Sequence, residues 1–177
     1  GRYEVAVEGE AEAVLLKPMS LQDVGEASAA PLSAEPTATD DTLIEPLPHE
    51  VGAAAHHGEL QPVVKWLQQG GHVDALASNG RGLLHAAAHG GHLRVAMELL
   101  ERGASVDLRG TDNITALMVA ATMGQQAMAR LLLEHKAGVD LQNAIGGTAL
   151  MMAAGQGHTE CVQELLAAGA STELRDQ

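Results

Sequence analysis

At 177 residues the chain could hold one or two domains, and with no Phe, one Trp and one Tyr its core must be built from Leu, Val, Ala and Met, which suits closely packed helices better than a sandwich or barrel. A formal net charge of −13 argues against nucleic acid, whose phosphates need a concentrated basic face, and against an anionic membrane surface. The single cysteine, Cys161, excludes an intrachain disulfide and fits a reducing compartment. With no run of 18 apolar residues and no signal-like start, the expected location is intracellular, in the cytoplasm. Gly1 in place of an initiator Met points to a piece of something longer.

Residues 1–20 read as strands. Tyr3, Val5 and Val7 alternate with Glu4, Ala6 and Glu8, the period-two pattern of a half-buried strand, and Val14-Leu15-Leu16 offers a return strand before Pro18. This hairpin fragment resembles the closing strands of a small SH3-like barrel, which implies an upstream β domain to complete it. Residues 21–48 follow as an acidic linker rich in Ala, Ser and Pro, expected to be disordered because it offers too little apolar area to offset ordering entropy. Residues 1–48 carry 10 acids against 2 bases, so much of the acidity lies in this leader. Leu43-Ile44 beside Pro46-Leu47 is expected to lie against the next region as a partial cap.

From His49 onward the chain repeats itself. Ala-Ala doublets begin at Ala54, Ala87, Ala120 and Ala153, a fixed step of 33 residues, each followed by a glycine: Gly58, Gly91, Gly124 and Gly157. Paired large apolar residues recur at the same step (Trp66-Leu67, Leu99-Leu100, Leu132-Leu133, Leu165-Leu166), and so does valine plus acid (Val73-Asp74, Val106-Asp107, Val139-Asp140), with Thr172-Glu173 as a degraded fourth copy. Such a period means a stack of supersecondary units. Four units are expected, 49–81, 82–114, 115–147 and 148–177, each a helix, a tight turn, a second helix and a polar finger loop. Small doublets let neighbouring backbones approach, and glycine supplies the positive φ of the turn. Thr115 and Thr148 are placed to cap their first helices.

The motifs Gly82-Leu83-Leu84-His85-Ala86-Ala87-Ala88, Thr115-Ala116-Leu117-Met118-Val119-Ala120-Ala121 and Thr148-Ala149-Leu150-Met151-Met152-Ala153-Ala154, with Gly91-His92 and Gly157-His158, resemble the ankyrin repeat. The resemblance implies an all-α solenoid of helix-turn-helix units with finger loops, and a non-catalytic protein-interaction role. Several departures from the pattern carry expectations of their own. His85 faces Gly82 instead of threonine, so the hydroxyl–imidazole bond is lost and the stack should rest on Met and Leu packing more than on a polar ladder. Lys136 stands where Gly103 and Gly169 stand, which forces a lysine into a left-handed helix end. The last unit is as apolar as the interior ones, so further repeats are expected beyond Gln177.

Positions that vary within a fixed scaffold are free for recognition. On the first helices these are His56 and His57, Ala86 and His89, Val119, Thr122 and Met123, and Met152 and Gln156. On the fingers they are Leu76, Asn79 and Arg81, then Arg109, Asp112 and Ile114, then Gln142 and Ile145. The resemblance places them along a concave groove with an apolar floor, suited to an extended peptide or helix, with Arg81 and Arg109 free to take an acidic residue. The clustered His56, His57 and His89 make partner affinity a candidate for pH dependence.

No catalytic constellation, phosphate loop or metal-ligand spacing is present. No cofactor, metal or small-molecule substrate is therefore expected, and the domain should be monomeric. Cys161 aligns with Val95 and Met128 and is read as buried and inert. The leading expectation is a protein- or peptide-binding module. The alternatives are a regulatory or substrate-delivery arm of a larger kinase, methyltransferase or ubiquitin ligase, and a histidine-based metal or small-molecule module.

Overall fold

A computed structural model describes residues 46–173; the expected β-hairpin of residues 1–20 and most of the linker lie outside them. Among the described residues eight short α-helices succeed one another without a strand: α1 His49–His57, α2 Leu60–Gln68, α3 Leu83–Gly90, α4 Leu93–Glu101, α5 Ala116–Thr122, α6 Gln126–Glu134, α7 Ala149–Gln156 and α8 Thr159–Ala167. They form four antiparallel pairs. The inner helices α1, α3, α5 and α7 pack in a row, and the outer helices α2, α4, α6 and α8 form a second, looser row behind them. The architecture is the all-α repeat solenoid expected from the 33-residue period.

The residue types explain the tightness of the inner row. Ala55, Ala87, Ala88, Ala120, Ala121 and Ala153 are fully buried, so only methyl groups separate adjacent inner helices. A larger side chain there would overpack the stack by roughly 1–3 kcal/mol. The glycine after each inner helix takes positive φ, between 67° at Gly124 and 80° at Gly58. The next amide then turns back to the carbonyl of the first doublet alanine: Glu59 to Ala54 at 2.8 Å, and His92, Gln125 and His158 to Ala87, Ala120 and Ala153 at 2.9 Å. The spacing of the doublet from its glycine is thus the geometry of a helix stop. Behind this row Val63, Leu99, Leu132 and Leu165 fill the space between paired helices, together with the fully buried Cys161. Burial pushes the Cys161 thiol above its ordinary pKa, with Glu160 and Glu164 adding to the effect, so it behaves as a small apolar residue.

Caps follow the sequence where the sequence supplies them. Thr115 and Thr148 hydroxyls accept from the amides of Met118 and Met151 at 3.4 and 3.3 Å. In the second unit the roles reverse: the Gly82 amide donates to His85 Nδ1 at 3.2 Å, and His85 Nε2 donates to the Ile114 carbonyl of the next finger at 2.9 Å. Leu47, 5% exposed, lies over the first unit near Gly52 and donates its amide to Leu76.

Beside the buried Leu and Met packing, a polar ladder not expected from the sequence runs along the stack. The acid of each valine–acid step reaches the unit after it. Asp74 accepts from the Ser105 amide at 2.9 Å, while Asp107 and Asp140 accept from the Gly138 and Ser171 amides at 2.8 Å. Three carboxylates thus satisfy loop amides one repeat away, charge-assisted bonds that fix the register between units. The recurrence was visible in the chain, but not its partner. Arg130 and Gln126 on α6 hold Glu164 on α8 in a further tie between outer helices, and they lower the Glu164 pKa.

Lys136 adopts φ 68°, in the region that Gly103 and Gly169 occupy at 85° and 91°. Lys136→Gly should therefore stabilise the protein by up to about 1 kcal/mol, measured as an upward shift of the urea midpoint. Leu132→Ala opens a cavity at a fully buried site and should destabilise by about 2–5 kcal/mol in the same measurement.

Candidate functional site

The C-terminal halves of the inner helices and the adjoining fingers enclose two clefts. The first lies between α1, α3 and the first finger and measures about 400 Å³, with Leu47, Ala53, Ala77 and Ala86 beneath and His56, His57, His89, Asn79 and Arg81 around it. The second lies between α5, α7 and the second finger and also measures about 400 Å³. Ile114, Val119, Met123 and Met152 supply its apolar surface, and Arg81, His89, Thr122 and Gln156 its polar groups. Arg81 and His89 face both clefts.

Val119 is only 8% exposed and offers a sliver of floor, whereas Met123 is 39% exposed beside half-buried Met152. Thr122 has already committed its hydroxyl proton to the Met118 carbonyl at 2.8 Å, so only its lone pairs remain for a ligand. Met151 also lines the second cleft, although it aligns with the buried His85 and Met118. Met118 is fully buried, but no further finger covers Met151 among the described residues.

The other positions singled out from the sequence lie outside these two clefts. Leu76 pairs its backbone with Gly82 and with Leu47. Asp112 takes positive φ at 58° and accepts the Ala144 amide at 2.8 Å on its carbonyl; its side chain borders a smaller depression shared with Asn79 and Arg81. Arg109 Nη1 donates to the Gln142 carbonyl at 3.3 Å, and Gln142 Nε2 donates to the Gly146 carbonyl at 3.0 Å. These two side chains link and brace fingers. Ile145 stands 66% exposed on the third finger.

The histidines divide by role. His92 Nε2 donates to the His56 carbonyl at 2.8 Å, and His158 Nε2 donates to the Thr122 carbonyl at 3.0 Å. Each histidine after a turn glycine therefore satisfies the frayed end of the preceding inner helix. His56 and His89 instead meet each other, Nε2 to Nδ1 at 2.9 Å, with His57 edge-on to His56. Gly90 leaves room for the His92–His56 carbonyl bond, because a Cβ there would fall 2.5 Å from the His56 carbonyl oxygen and 2.4 Å from the His92 ring. His85 has no part in the cluster. Among the described residues no group of three or more His, Cys, Asp or Glu is placed to hold a metal ion, and no helix is long and apolar enough to cross a membrane.

The family model described as Ankyrin repeats (3 copies) matches residues 51–143, and that described as Ankyrin repeat matches residues 146–177. The chain belongs to the ankyrin-repeat family. No curated protein matches it. Ankyrin repeats are in general protein–protein interaction modules and are typically non-catalytic.

Burial holds the pKa of His85 below its ordinary value of 6.5, a shift partly offset by the bond to Ile114. Protonation would also replace the acceptor that the Gly82 amide needs. The folded state thus favours the neutral ring, so its stabilising contribution is complete above about pH 6.5 and falls as the pH drops below it. His85→Met, which installs the residue of the third and fourth repeats, should flatten the decline in melting temperature between about pH 7.5 and about pH 5.5.

Proposed function

We propose that this ankyrin stack binds a protein or peptide partner in the second cleft, with apolar side chains seated over Val119, Met123 and Met152 and an acidic residue against Arg81. The observation that carries this is the exposure of Met123 and Met152 at positions where the repeat scaffold needs no large apolar side chain. A thioether on an unbranched stem adapts to varied partners, and a cleft of about 400 Å³ accepts the anchor side chains of an extended segment or an amphipathic helix. Arg81 is exposed, whereas Arg109 is engaged with Gln142, so Arg81 is the better docking cation. In this role the domain acts without catalysis, cofactor, metal or nucleic acid, as a monomer in the cytoplasm.

Selection of linear peptides from a random display library on the full chain should enrich sequences with aliphatic anchors and an Asp or Glu. Met123→Asp should weaken the selected peptides by about tenfold or more, the scale of one buried anchor, and leave the helical circular dichroism unchanged. Peptides without apolar anchors, or peptides indifferent to both Met123→Asp and Arg81→Glu, would overturn the proposal.

A further inference from the structure

The first cleft is chemically unlike the second. Its rim carries His49, His56, His57 and His89 with Arg81, and among the described residues no carboxylate lines it, in a chain whose formal net charge is −13. A concentration of basic groups, with no carboxylate among the described lining residues, is complementary to a carboxylate-bearing anion.

The His56–His89 pair is suited to holding one extra proton. At 2.9 Å one ring must donate and the other accept, so in the neutral pair His56 Nε2–H can donate to His89 Nδ1. A proton added at His56 Nδ1 keeps that bond and makes it charge-assisted, whereas a second proton on His89 Nδ1 would break it. The groups facing His56 are His57 on its own helix, His89 on α3, His92 in the turn after α3 and Arg81 on the finger; with burial as the leading cause, they hold its pKa below the ordinary value. All of them oppose the added proton, and a carboxylate lodged among them reverses the balance.

We propose that the first cleft is a subsite for a carboxylate-bearing segment of a protein partner, which binds between Arg81 and the His56–His89 pair and takes up one proton from solvent. Leu47, Ala53 and Ala86 beneath leave room for a short acidic side chain and supply no competing polar group. The inference rests on the ankyrin-stack reading and extends it from the second cleft to the first, but does not depend on the apolar one being occupied.

The test uses the full chain and hexaglutamate as the probe, with the imidazole NMR signals of His56 and His89 followed from about pH 7.5 to about pH 6. Hexaglutamate should raise the pair's titration midpoint, and its affinity should increase on acidification by up to about tenfold per pH unit, the limit for uptake of one proton. The double variant His56→Gln/His89→Gln should bind with little pH dependence, and Arg81→Gln should bind more weakly at every pH. An affinity independent of pH, or a double variant that behaves like the parent, overturns the proposal. So does inorganic phosphate moving these signals where hexaglutamate does not. The methyl signals of Met123 and Met152 report separately on the apolar cleft: if hexaglutamate moves them and leaves the imidazoles still, the acid site is not here, while the second-cleft proposal is untouched.

Discussion

The close approach of the inner helices governs the rest of this structure. With buried alanines between α1, α3, α5 and α7, and hydrogen alone at Gly90, neighbouring backbones lie near enough for groups one repeat apart to bond directly. The His92–His56 and His158–Thr122 bonds and the His56–His89 pair all span that gap. Wider spacing would leave these polar groups to solvent and remove the register between units. Packing density and polar complementarity are therefore coupled here: the methyl groups set the distance, and the hydrogen bonds fix the offset.

Repetition distributes the polar work in a regular way. Asp74, Asp107 and Asp140 each satisfy an amide in the following unit, so every interface gains the same rung, as expected of a quasi-one-dimensional fold stabilised by nearest-neighbour terms. Departures from the repeat then mark places where the scaffold's demands are relaxed or diverted. Lys136 is held in a conformation that glycine takes elsewhere. His85 takes the Gly82 amide on its ring, the reverse of the threonine caps in the later units, and it reaches Ile114 as well.

The two clefts follow from the same logic. Near the C-terminal ends of the inner helices and on the fingers, side chains no longer pack between units, and the chain is free to vary. That variation is graded along the stack, from histidines over alanine at the first unit to methionines over valine at the third and fourth. Arg81 lies between the two environments. One continuous scaffold thus presents an imidazole-rimmed cleft beside a thioether-lined one, a combination suited to a segment bearing both acidic and apolar side chains.

How much was legible in the chain depends on whether a feature repeats. The doublets, turn glycines and leucine pairs recur at one step, and recurrence alone fixes helices, turns and stacking order, because each unit must bury the same face against its neighbour. The left-handed Lys136 and the buried Cys161 were legible for the same reason: their aligned counterparts define the site they occupy. Contacts across units were not legible. The acid ladder is spelled out in the chain, but its partners are loop amides such as those of Ser105 and Gly138, and every residue has an amide. Met151 aligned with a buried residue yet borders a cleft, since its exposure depends on what lies over it. His56 and His89 meet while His85 turns away to Ile114, because the paths of α1 and α3 decide which rings face each other. The sequence by itself determined the unit and its period, through local backbone chemistry and side-chain size. Only the tertiary structure decided which side chains meet, since distances between separate units arise from packing the whole stack.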